Sequence, residues 1–309
     1  MAAMAMPAGA QEGRQWRLAA LGTTPASLER VRRVFLPELA RLGFAEGRNL
    51  SVSARWGTSA ELAAQAQATL AARPDVIYAN GNDATRALRA LGTQVPIVAF
   101  GTDPVGQGFA QSLARPGGQV TGISILAGEL DGKRLDMLHQ ALPNRRRIAA
   151  LMYAPSADRQ ASERDLRRAA APLGLEVRLF DVTTLEELPA AFRAMREARA
   201  EALLVMAAPQ FFGIARRLAE LAREAGLPTI CEWPLMASAG CLLGFGPDID
   251  DMTRRAASMA ARILRGVPPG DIPIEQPTRF ALGVNLATAH ALGLTLPPAV
   301  MAQADEVFD

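Results

Sequence analysis

Small and polar residues able to hold a solute gather in short segments of this chain, each directly behind an apolar run. Gly22-Thr23-Thr24 follows WRLAAL, Asn80-Gly81-Asn82-Asp83 follows DVIYA, and Gly101-Thr102-Asp103-Pro104 follows PIVAF. Further along, Tyr153 and Ser156 follow RIAALM, and Glu232-Trp233 follows LPTIC. Hydroxyls, amides, carboxylates and the free N–H groups of a starting helix are the chemistry of hydrogen-bonded ligand capture. Thr23 and Thr24 stand where a helix begins, so a ligand carboxylate is stabilised there by the dipole and by direct bonds; Thr24 also suits the cap before Pro25. Asp83 either caps the following helix or accepts from a ligand amine, and Thr102 and Asp103 repeat the arrangement. Because Asp103 precedes a proline, a turn role is favoured for it over ligand contact. Tyr153 and Trp233 offer aromatic walls, Glu232 a charge, and Phe245 either a wall or core packing.

The same chain lacks the arrangements that catalysis needs. It has no Gly-x-Ser-x-Gly elbow, no Walker A loop and no Gly-x-Gly-x-x-Gly behind a strand. His139 and His290 sit in helical stretches with no acidic or nucleophilic partner close in sequence, which favours surface or packing roles. With no Cys-x-x-Cys or His-x-x-x-His spacing, neither a metal nor a cofactor is expected, and no residue is assigned a catalytic role. Cys231 closes one apolar strand and Cys241 opens the next, in one half of the chain, which argues against a two-thiol racemase. Two buried free thiols are the favoured reading, and a disulfide across the strand ends stays open for an oxidising compartment.

Composition narrows the class further. The 309 residues are enough for two domains, and 50% hydrophobic with 21% charged residues is globular. A net charge of +2 gives no electrostatic case for nucleic acid. No apolar run approaches the roughly 20 residues of a membrane span. Residues 1–15 read as a tail or the remnant of a signal peptide, with Ala8-Gly9-Ala10 fitting the small-residue rule of a cleavage site.

The elements that position these loops alternate strand and helix. Apolar runs at Arg17–Leu21, Asp75–Ala79 and Pro96–Phe100, each followed by a loop and a helix, predict parallel strands with right-handed crossovers. The alternation breaks at Gly117-Gly118 and restarts from Arg147 with runs at 148–153, 175–180, 202–206, 229–232 and 242–245. A helix over 248–265, a strand near 280–285 and a short helical tail follow. Pro37, inside the first helical pattern, predicts a kink, and Gly244 and Gly246 suit a hinge. The fold class is therefore α/β, with two doubly wound parallel-sheet domains joined by a hinge and a cleft at the carboxyl ends of their strands.

Four stretches carry a resemblance. LARLGFAEGRNLSVSARWG, DPVGQGFAQSLARPGGQVTGIS, GELDGKRLDMLHQALP and IEQPTRFALGVNLATAHALGLTLPPAVMAQADEVFD, in this order, resemble ABC-transporter substrate-binding proteins of the TrpX-like group. The resemblance spans Trp16 to Asp309 and implies the type I periplasmic-binding-protein fold. It implies an N-terminal domain of 16–122 and 246–275, and a second of 123–245 and 276–309. It also implies a periplasmic or extracytoplasmic receptor, expected to be monomeric, that closes on a small solute such as an aromatic amino acid. The implied partner is an ABC permease in the membrane. A receptor feeding a membrane sensor is the alternative; an α/β enzyme is disfavoured, and a repressor would need a DNA-binding segment ahead of Trp16. Where members of the group often carry an acid, this chain has Ala207-Ala208-Pro209. A ligand amine must then find Asp83 or Glu232, or the ligand must differ.

Overall fold

The computed structural model describes residues 14–154 and 159–309, so the tail before residue 14 and Ser156 lie outside the described residues. Two sheets organise the chain. The first holds β1 (Trp16–Gly22), β2 (Leu50–Trp56), β3 (Val76–Asn80), β4 (Ile97–Gly101) and β5 (Val120–Ser124) in the order β2-β1-β3-β4-β5, every pair parallel. The second holds β6 (Arg147–Tyr153), β7 (Glu176–Val182), β8 (Ala202–Val205), β9 (Thr229–Cys231), β10 (Leu243–Pro247), β11 (Phe280–Asn285) and β12 (Glu306–Phe308). Its order is β12-β11-β10-β9-β8-β6-β7, parallel except for the antiparallel pair β10–β11.

Burial explains the uniform apolar runs. Every residue of β3, β5, β8, β9 and β10 is buried, as expected of strands covered on both faces by helices. The edge strands β2 and β7 keep exposed positions. The final strand β12, three residues long and mostly exposed, stands where only a helical tail was expected. So short an edge strand shows no periodicity in sequence.

The helix after β1 absorbs Pro37 by changing its winding. It runs as Pro25–Arg30, a π segment over Val31–Phe35, and Leu36–Arg41. Pro37 has no N–H to give, and the wider turn ahead of it makes room for its ring. The expected kink is thus a π-bulge, and it keeps Arg30, Val31, Val34 and Phe35 all facing inward.

The chain passes from the first sheet to the second after β5 and returns after β10. The returning helix Ile249–Leu264 packs on β3, β4 and β5, and a last crossing leads into β11. At that crossing two segments lie side by side. Ser124 N donates to Glu275 O (2.8 Å), Glu275 N to Gly122 O (3.0 Å), and Thr121 Oγ1 to Ile272 O (2.7 Å). Ile123 and Ser124 pair with Phe100 and Gly101 in the first sheet, and Gly246 and Pro247 pair with Ala281 and Phe280 in the second.

Two expectations change here. Gly244 and Gly246 lie inside β10 without left-handed torsions; a side chain there would collide with the carbonyl oxygens of Trp233 and Glu232. Their smallness serves a close backbone approach, not a hinge. Cys231 and Cys241, favoured as free thiols, are joined in a disulfide with Cα atoms 6.5 Å apart. The short helix Pro234–Ser238 folds the chain back between them, a reversal that spacing alone does not reveal.

Candidate ligand-binding site

A cavity lies where the carboxyl ends of the two sheets face each other. Its lining comes from the loops after β1, β3, β4 and β5, with Ile249 of the returning helix, on one wall, and from the loops after β6, β8 and β9 on the other. About 130 Å³ is open there to the centre of a water molecule. That leaves room for a small organic solute, not merely a single bridging water.

The first wall is set by β1, β3 and β4. Thr24 caps the first helix, its Oγ1 accepting from Ser27 N at 3.3 Å, and it also lines the cavity. Thr23, alongside, is buried, and its Oγ1 has no hydrogen-bond partner among the described residues. Asn80 donates through Nδ2 to the Tyr78 hydroxyl at 3.2 Å. Burial pushes that phenol up to about 12, so it stays a neutral anchor. Gly81 turns the chain with φ +103°, a torsion that side chains rarely adopt, and its Cα faces Thr23. Asn82 staples two loops: its Nδ2 donates to Thr102 Oγ1 (2.9 Å) and its Oδ1 accepts from Thr102 N (3.0 Å). Asp83 is paired with Arg86 at 2.6 Å.

The second wall carries aromatic rings and one acid. Tyr153 lines the cavity with its ring edge-on to Phe211, 6.3 Å between centroids. Glu232 is 5% exposed, and burial pushes its carboxyl up to about 7. Arg134, the Trp233 side chain and Arg30 pull it down, whereas Asp131 pushes it up. Beneath it runs a buried ion pair, Arg134 to Asp131 at 2.6 Å. Arg134 also donates to Glu232 O (3.0 Å) and Phe245 O (2.8 Å), tying the loop after β9 and strand β10 to one helix.

Ten of the thirteen expected ligand residues therefore meet at one place: Thr23, Thr24, Asn80, Gly81, Asn82, Asp83, Thr102, Tyr153, Glu232 and Trp233. Two do not line it. Asp103 sits at φ +41° with its carboxylate accepting from Gly106 N at 2.9 Å, which makes it a turn residue. Phe245 stacks on Phe280, 6.1 Å between centroids, in the packing of the second sheet.

The most consequential residue is one the sequence reading passed over. Arg30 lines the cavity, is 6% exposed, and lies 4.4 Å over the Phe212 ring of the opposite wall. Its Nε has no hydrogen-bond partner among the described residues, and Asp250 stands 3.9 Å away. Burial lowers its pKa as a desolvated cation. The available signal was its spacing. Ser27 and Arg30 continue the apolar stripe of Val31 and Val34, and a charge on a buried stripe is unusual. Across the cleft, the Tyr153 hydroxyl also comes within reach of Ser59.

Comparisons with known proteins bear on the family and the fold. The family described as ABC transporter substrate binding protein matches residues 24–308. A tyrosine-binding protein of Clostridioides difficile (strain R20291) is 24% identical over 271 residues, 87% of this chain and 78% of that protein. A conserved domain protein of Vibrio cholerae superposes with a TM-score of 0.88 at 23% identity, over 95% of this chain and 100% of that one. An ABC domain of Streptococcus pneumoniae in complex with L-Trp superposes with a TM-score of 0.86 at 20% identity, again over 95% of this chain and 100% of that one.

Proposed function

The chain belongs to the ABC transporter substrate-binding protein family, with the type I periplasmic-binding-protein fold and a solute-binding rather than enzymatic role, and from that premise we propose its place and ligand class. It is the extracytoplasmic receptor of an ABC importer and closes on an aromatic amino acid or a related small solute. Its partner is the membrane permease of that importer. The lobes are 16–122 with 246–275, and 123–245 with 276–309, each built around one of the two sheets.

One observation carries this reading. Thr23 Oγ1 and Arg30 Nε are buried in the cavity wall without partners. A buried unsatisfied polar group costs about 1–3 kcal/mol, so both groups favour a solute that supplies the acceptor or donor they lack. A carboxylate placed between them satisfies both, with a charge-assisted bond to the guanidinium. Phe100, Ile125, Tyr153 and Trp233 offer apolar surface to the rest of the solute. The tyrosine that one relative is named for binding and the L-Trp in complex with another have this makeup, a carboxylate on an aromatic body. The disulfide suits an oxidising compartment, and among the described residues no helix is long and apolar enough to cross a membrane.

Titration calorimetry with L-Tyr, L-Trp and L-Phe tests the ligand class. Binding by at least one, weakened about 10- to 100-fold in Arg30→Gln, is the expected result, since a hydrogen bond to a charged group contributes about 1.5–3 kcal/mol. Unchanged affinity in that variant removes the carboxylate seat. Silence across the whole panel removes the ligand class.

A further inference from the structure

Among the described residues, Glu232 is the acid of the cavity wall that has no cation at ion-pair distance. Asp83, across the cavity, is already paired with Arg86 at 2.6 Å. Glu232 is 5% exposed, and its position is fixed from below. Its carbonyl accepts from Arg134 at 3.0 Å, and the same guanidinium holds Phe245 O and Asp131. Its main chain also lies against Gly246, where any side chain would push it away. The backbone that carries this carboxylate is thus held on two sides. It stays in the wall of a cavity whose opposite wall presents Arg30.

We propose that Glu232 is the seat of a ligand ammonium group, facing the carboxylate seat at Arg30 and Thr23, so that this cavity selects solutes carrying both charges. This rests on the reading of the cleft as the solute site and adds the charge pattern of the solute. The groups facing Glu232 are Arg134 and Asp131 from the helix Ala127–Ala141 beneath, and Arg30 from the helix Pro25–Arg30 opposite. Asp83 and Arg86 pair with each other on the helix Asn82–Ala90. Asp131 is engaged by Arg134 at 2.6 Å, and burial raises its carboxyl as well. Glu232 is the acid of this set that lines the cavity, and burial pushes it up to about 7.

The proton balance follows. In the free protein below neutrality Glu232 carries a proton. An arriving ammonium keeps its own protons, the carboxyl releases one to solvent, and a carboxylate–ammonium pair remains. Affinity then falls as pH drops below about 7, approaching tenfold per unit, and levels off above it until the ligand amine itself titrates.

Calorimetry on the whole protein between about pH 5.5 and pH 8 tests this, comparing L-Tyr, L-Trp and L-Phe with their deaminated arylpropionate and N-acetyl analogues. The expected result is a preference for the free amino acid of about 100-fold or more, with the stated slope below neutrality. Glu232→Gln keeps the shape of the side chain and should abolish both the slope and the preference. Retained binding of the deaminated analogue shows that the variant is folded. Equal binding of parent and deaminated analogue overturns the assignment while leaving the cleft as a carboxylate site. A Glu232→Gln variant that keeps the slope or the preference overturns it too. If neither the amino acids nor their analogues bind, the proposed ligand class fails and this inference falls with it.

Discussion

Arg30 and Glu232 put opposite charges on opposite walls of one cavity, and each is buried at a cost that the protein alone does not recover. For Glu232 the cost is visible as a stability dependence. Its carboxyl is raised in the folded state to about 7 from an ordinary value of 4.5. A raised acid contributes stability that is fully present below the unfolded pKa and is lost as pH rises through the folded one. The ligand-free protein should therefore weaken between about pH 4.5 and pH 7 on account of this group, by on the order of 3 kcal/mol. Glu232→Gln removes that loss. Denaturant unfolding of the ligand-free proteins should show the variant more stable than the parent at pH 8 and indistinguishable near pH 4.5. A parent advantage at pH 8 contradicts the burial argument.

At the scale of elements, the segment from β9 to β10 carries the second wall. It holds Glu232 and Trp233, turns through the helix Pro234–Ser238, and is clamped by the Cys231–Cys241 disulfide. A loop of about ten residues closed this way contributes roughly 2–3 kcal/mol. Replacing both cysteines with serine should lower thermal stability accordingly. It should also weaken ligand binding, because the released loop must be ordered again on closure. A variant with reduced melting temperature but unchanged affinity would show the clamp to be structural only. The loops of the first wall need no such clamp, because Asn82 and Thr102 already bind each other across two strand ends.

At the scale of the molecule, affinity depends on bringing the walls together. Arg30 lies over Phe212 at 4.4 Å, and Tyr153 reaches toward Ser59, both across the cleft, so a hydrogen bond formed there latches the closed state. Ser59 does not line the cavity, so Ser59→Ala changes the latch and leaves the ligand contacts in place. One neutral hydrogen bond is worth about 0.5–1.5 kcal/mol, which predicts release about 2- to 10-fold faster with little change in association. Stopped-flow fluorescence reads both rates. Slower association with unchanged release would place the bond in the encounter step instead.

Much of this was legible in the chain itself. Apolar runs buried on both faces declare parallel strands, and the small or polar residue behind each run marks the cavity wall, as Thr23, Asn80, Thr102 and Glu232 illustrate. These are local signals, written in the period and the end of each element. What stayed hidden depends on neighbours distant in sequence. Arg30 belongs to the site because Phe212, Asp250 and Glu232 converge on it from elsewhere in the chain. Gly246 is small because the Glu232 carbonyl lies against it, and Cys231 meets Cys241 because a short helix reverses the chain. Burial and desolvation are properties of the assembled fold. The sequence by itself determined which residue types stand at the strand ends; the tertiary structure decided which of them face one another, and which lose their water and require a ligand to replace it.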